Sequence, residues 1–187
     1  MLELFAYLIV PISTLLMPGK SGWLESNFSV IGSRAPGQPF FILWGTFTGI
    51  FFYLLLNRLN AQVLALTQKQ LSHLLPSCSV LLLFVSLLFP YLPESMPFLS
   101  ALHVFCAFFS SVGLFLCLAA LAHMLQTCSS AYRPYFYLLG VIPPVCLGLF
   151  FAADGIISSG MEIFFTIFCS LYGIRLHHRL KRELAGT

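Results

Sequence analysis

Residues 98–125 read FLSALHVFCAFFSSVGLFLCLAALAHML, twenty-eight positions without an Asp, Glu, Lys or Arg. A hydrocarbon core about 30 Å thick is crossed by roughly 20 apolar residues in helical form, so this stretch predicts a membrane-spanning helix. Along it His103, Cys106, Ser110, Gly113, Cys117 and Ala120 recur at three- and four-residue steps and share one helical face. That face is small and slightly polar. Phe105, Phe108, Leu116 and Leu118 are assigned to the opposite, lipid-facing side, which turns His103 and the packing positions Ser110 and Gly113 toward the interior of a bundle.

Working outward, five more apolar runs occupy about 2–17, 40–56, 73–91, 135–153 and 161–174. With 59% hydrophobic and only 8% charged residues, the chain has too few polar groups to cover a soluble globule of 187 residues. The expected fold is an all-α polytopic membrane protein, a six-transmembrane-helix bundle forming a single integral membrane domain over residues 1–187. Pro11 predicts a kink in the first span, and Gly140 with Pro143-Pro144 predicts a backbone break in the fifth. Gly45 and Gly49 form a G-x-x-x-G in the second span and are expected to serve helix packing inside the bundle. The first run starts at Leu2 without a basic leader and is read as a retained helix.

The connectors set the orientation. With six spans the termini share a side with the second and fourth connectors. Arg58, Lys69 and Arg133 plus the tail residues Arg175, Arg179, Lys181 and Arg182 put seven basic residues there, against Lys20 and Arg34 on the other. The positive-inside rule then predicts a cell-membrane protein with both termini cytoplasmic. Residues 57–72 read as a semi-polar connector lying along the interface, and 18–39, rich in Gly and Pro, as the longest and most featured loop.

Polar groups collect on the outer side. Ionisable residues within spans cost about 2.5–3.5 kcal/mol at the helix centre and tend to face cavities or partners. Glu25, Asn27, Ser29 and Arg34 of the first outer loop are expected to fold over His103, Asp154 and Glu162 as a polar pocket for a lipid headgroup or small amphiphile. The competing reading is that the same side chains only hydrate helix ends and bond loop backbone.

Chemistry is sparse. The five histidines lack the spacing of a zinc site, and no G-x-S-x-G is present. The six cysteines contain no C-x-x-C and read as apolar packing residues. No cofactor, metal or nucleic acid is expected. The partners implied are membrane lipid or another membrane protein, and the function is that of a non-enzymatic binder or accessory. A small proton-coupled carrier using Glu162 or Asp154 is the alternative, ahead of a membrane-embedded hydrolase.

The run Ser26-Asn27-Phe28-Ser29-Val30-Ile31-Gly32, followed by Phe40 and a glycine-containing second span, resembles the uncharacterised multi-pass family catalogued as domain of unknown function 998. That family shows a His near the start of a middle helix and a Glu near the start of the last one, and His103 and Glu162 stand in that order over a likeness covering about 27–172. Family members carry an acidic residue before the loop Gly and a basic one beside the late Glu, whereas this chain has Val30-Ile31 and Ile163. The resemblance implies a six-helix bacterial or archaeal protein, more distantly like membrane proteins linked to lipid sorting, and no established reaction.

Overall fold

The computed structural model describes residues 1–34 and 36–186, and the regular elements among them are all helical. Helix α1 (Leu2–Leu16) widens into a π-helical turn over Phe5–Ile9, just ahead of Pro11. Proline has no N–H to offer the Tyr7 carbonyl, and the wider turn, with Ser13 Oγ donating to Ile9 O at 2.6 Å, re-accommodates the backbone. A short helix α2 (Phe28–Ser33) lies inside the first loop. Helix α3 (Gln38–Thr67) runs about 45 Å by helical rise and ends at Gln68, whose φ of 56° is left-handed.

Helices α4 (Leu74–Leu88) and α5 (Pro97–Cys128) follow as a hairpin. A 3-10 turn (Ser130–Tyr132) leads into α6 (Arg133–Leu139), and α7 (Ile142–Ala152) continues after a break. The break has a simple cause: Pro143 and Pro144 cannot donate to the carbonyls of Leu139 and Gly140. Helix α8 (Ser159–Gly186) closes the chain.

Three of these segments are long and apolar enough to cross a membrane: Gln38–Thr67, Pro97–Cys128 and Ser130–Ala152. Leu2–Leu16 and Leu74–Leu88 are apolar but shorter. The outward surface agrees with a membrane setting, since Phe98, Leu88, Leu74 and Phe105 are all more than 60% exposed.

Helices α4 and α5 make the most extensive pair; α3 packs on α8, α4 and α5, and α1 lies against α8 and α3. The fifth apolar segment divides its allegiance, with α6 leaning on α5 and α7 on α8. At the centre sit Leu55, Leu59, Leu118, Leu121, Leu176 and Leu180, all fully buried. Because lipid is as apolar as leucine, helix association in a bilayer depends on close fit more than on burial from water. Glycines provide that fit: a Cβ on Gly45 would meet Leu87 at 2.6 Å, one on Gly173 would meet Leu55 at 2.6 Å, and one on Gly113 would overlap Ser79 Oγ. Gly49 faces Leu83 and Phe84, so the G-x-x-x-G is turned toward α4. Ser110 is buried on the same face of α5 as Gly113.

Several boundaries differ from the sequence reading. The second apolar run does not stop near residue 56, and 57–72 is no interfacial connector, because α3 continues to Thr67 with Leu59, Asn60 and Val63 buried. Asn60 turns the polar composition of this stretch inward: its Nδ2 donates to Leu71 O at 2.9 Å and its Oδ1 accepts from Leu71 N at 2.8 Å. The last run likewise extends past residue 174, so the basic tail is helical to Gly186. Leu118, assigned to lipid, is fully buried. Where α5 meets both α3 and the segment beginning at Arg133, its buried arc widens to take in Cys117, Leu118, Leu121 and Ala122.

Candidate functional site

Asn27 begins the site. Its backbone is extended, and its side-chain Oδ1 accepts from Val30 N at 2.8 Å, an N-cap that starts α2 in a loop otherwise rich in helix breakers. The next residue, Phe28, is fully buried in a small cluster with Met17, Phe41, Trp44 and Ile163. Its ring meets Trp44 edge-on at 4.9 Å, and Trp44 Nε1 donates to Thr14 Oγ1 at 2.9 Å. On the following turn Gly32 lies so close to the Phe41 ring that a Cβ would overlap it. Thus α2 is a lid seated by one aromatic plug and one glycine.

Helix α8 and the lid cap each other. Glu162 Oε2 accepts from Phe28 N at 2.7 Å, satisfying a first-turn donor of α2. In return, Ser26 O accepts from Ser159 N at 2.7 Å and from Ser159 Oγ at 3.0 Å, and Trp23 O accepts from Gly160 N at 2.8 Å. Helix starts leave several N–H groups without intrahelical partners, and here two starts distant in sequence share the remedy.

His103 fastens the lid's other flank. Its Nδ1 faces Ser86 O at 2.8 Å and Phe89 O at 2.9 Å, two acceptors that require the proton on Nδ1. Ser86 stands in the last turn of α4, where its carbonyl also accepts from Phe89 N at 3.2 Å, and Phe89 lies just past the helix end, where intrahelical donors run out. In the neutral ring Nε2 is then the acceptor for Ser29 Oγ at 2.7 Å. Ser33 extends the seam: its Oγ donates to Ser29 O at 2.7 Å and accepts from Tyr91 N at 3.1 Å.

Of the seven sequence-assigned site residues, Asn27, Ser29, His103 and Glu162 come together around α2. His103 is buried, the other three half-buried. Glu25 is exposed and folds back over Gly22. Asp154 is exposed in the turn after α7, at a left-handed φ of 53°. Arg34, exposed at the end of the lid, lines a depression of ≈ 350 Å³ together with Val30, Ser33, Tyr91, Leu92, Pro93, Glu94 and Ser95. Sequence reasoning missed the α4–α5 turn as a wall of this site, and it missed Trp44, Thr14 and Ser33. The only sequence signal for that wall was the tight Pro93-Glu94-Ser95-Met96-Pro97 turn.

The opposite, basic end is braced separately. Tyr132 OH donates to Glu183, which pairs with Arg179 at 2.8 Å, and His178 meets Glu3 at 2.8 Å. His177 Nδ1 bonds Gln62 Oε1 at 2.9 Å. Among the described residues no group of three or more His, Cys, Asp or Glu side chains could hold a metal ion. No family model, curated protein or solved structure matches the chain.

Proposed function

We propose that the chain is a six-span membrane protein that binds the polar end of a lipid or small amphiphile beside a fixed lid, without chemistry of its own. In this reading α1, α4 and the first half of α8 join the three long apolar segments as spans. The basic end, with both termini, faces the cytoplasm and the lid faces outward. At 15 residues each, α1 and α4 rise about 22 Å, and a locally thinned bilayer accommodates them. The resemblance carried by Asn27, Ser29, His103 and Glu162 fits the same reading, as these four side chains meet at the lid.

One observation carries it: the ≈ 350 Å³ depression has preformed walls, because Ser33 ties the lid to Tyr91 on its far side. Small-ligand sites are concave, mostly apolar and supplied with a few polar groups. Full-length protein extracted in mild detergent should retain at least one lipid class above the level held by an unrelated membrane protein from the same cells. Mass spectrometry of the extract measures this, and identical lipid profiles for the two proteins would end the proposal.

A second reading, a membrane-embedded hydrolase, is favoured by one contact, the 2.7 Å Ser29–His103 pair with Nδ1 oriented by carbonyls. Against it, Glu162 and Asn27 occupy the N–H groups of Phe28 and Val30 flanking Ser29, the natural donors for an oxyanion. A fluorophosphonate probe that labels the wild type and spares Ser29→Ala would establish it, and absence of labelling would remove it.

A further inference from the structure

The depression beside the lid is lined by one side chain of each charge. Arg34 comes from the lid wall and Glu94 from the α4–α5 turn, and the ion pairs among the described residues are His178–Glu3 and Arg179–Glu183. Arg34 and Glu94 therefore line one space without a direct ion pair between them. Most nearby backbone donors are already used: Tyr91 N by Ser33 Oγ, Leu92 N by Ser100 Oγ, Met96 N by Leu92 O and Arg34 N by Ile31 O. Recognition falls to the side chains of Arg34, Glu94, Ser95 and Tyr91.

We propose that this depression binds a zwitterion joining a phosphodiester or phosphate to a primary ammonium, as in a phosphatidylethanolamine headgroup or soluble phosphoethanolamine. The proposal rests on the lipid-binding reading above and deepens it. A guanidinium offers paired donors to phosphate oxygens, and a carboxylate accepts from an ammonium N–H. A purely anionic headgroup would bring its charge toward Glu94, a repulsion that selects against it. A quaternary ammonium has no N–H to donate and is held by several aromatic faces, of which this wall supplies only Tyr91. Val30, Leu92 and Pro93 complete an apolar rim suited to the glycerol and first acyl carbons.

The test uses full-length protein in detergent, given an equimolar mixture of phosphatidylethanolamine, phosphatidylglycerol and phosphatidylcholine of matched acyl chains, with bound lipids counted by native mass spectrometry. Wild type should favour phosphatidylethanolamine about three- to tenfold, the scale of one or two exposed charge-assisted contacts. Glu94→Gln should erase its advantage over phosphatidylglycerol, and Arg34→Gln should lower binding of all three phospholipids. Both positions are exposed, so folding should survive, and the wild-type preference needs no variant. Displacement of the bound lipid by millimolar phosphoethanolamine would identify the free zwitterion as a ligand, and resistance to it would identify the lipid alone. Equal binding of the three classes, or a preference unchanged in both variants, overturns this inference and leaves the broader lipid-binding reading intact. Lipid retention no greater than the control protein's removes both.

Discussion

Glu162 and Phe28 lie 134 positions apart, yet the carboxylate Oε2 accepts the Phe28 amide at 2.7 Å. A side chain near the start of the last helix thereby finishes the N-terminus of a six-residue helix in the first loop. Glu162→Ala should loosen the lid, costing about 1–3 kcal/mol for the orphaned donor, while Glu162→Gln keeps an acceptor and should cost less. Hydrogen exchange at the amides of residues 28–33 reads this directly. Equal protection in wild type and Glu162→Ala would contradict it.

Replacing His103 strands the carbonyl of Phe89 and the hydroxyl of Ser29 and removes one of two donors from Ser86 O, which also accepts from Phe89 N at 3.2 Å. His103→Ala should lower the melting temperature in detergent more than Ser29→Ala does, by about 2–4 kcal/mol of stability against about 1. If the two substitutions were equally mild, the imidazole would not be the fastener of the α4 end.

Gly113→Ala drives a methyl into Ser79 and should cost about 1–3 kcal/mol. Adding Ser79→Ala removes the hydroxyl that the methyl meets and should restore part of the loss. A double-mutant cycle on thermal stability gives the coupling; strictly additive effects would mean that α4 and α5 do not meet at this point.

Acidification should weaken the basic end. His177 lies beyond the apolar part of α8, and its pKa is held below the ordinary 6.5, first by burial and then by His178, Arg58 of α3 and Lys181, with Glu3 of α1 acting in the opposite sense. A depressed folded pKa means that the unfolded chain takes up the proton first. The contribution is therefore complete above pH 6.5 and is lost as pH falls through the folded value. Melting temperature should drop between pH 7.5 and 5.5, and His177→Asn should drop less. Parallel curves for the two proteins would assign the acid sensitivity elsewhere.

How far the sequence could be read varies element by element. The small stripe on residues 98–125 was visible because helical periodicity is a local property, and Cys106, Ser110, Gly113 and Cys117 are indeed buried. Residues 57–72 read as a connector because hydropathy counts Asn60 and Gln62 as surface formers, whereas the helix runs to Thr67 and Asn60 is buried and clamps Leu71. His103 and Glu162 stood out as polar residues in apolar runs. Their partners did not, since the carbonyls of Ser86 and Phe89 and the amide of Phe28 carry no side-chain signature. Only sidedness links Glu25 and Asp154 to the site in the sequence, and sharing a side does not fix a distance.

Helix α8 is the neighbour of both α1 and α7, and Ser170 Oγ donates to Ala6 O at 3.2 Å across the α1 contact. Helix α1 thus docks against a helix more than 140 residues further along, so this contact can form only after all the helices between them have been made. Until residues 159–186 have been made, α1 has only part of its seat, and its face toward α8 lacks the partner that Ser170 supplies.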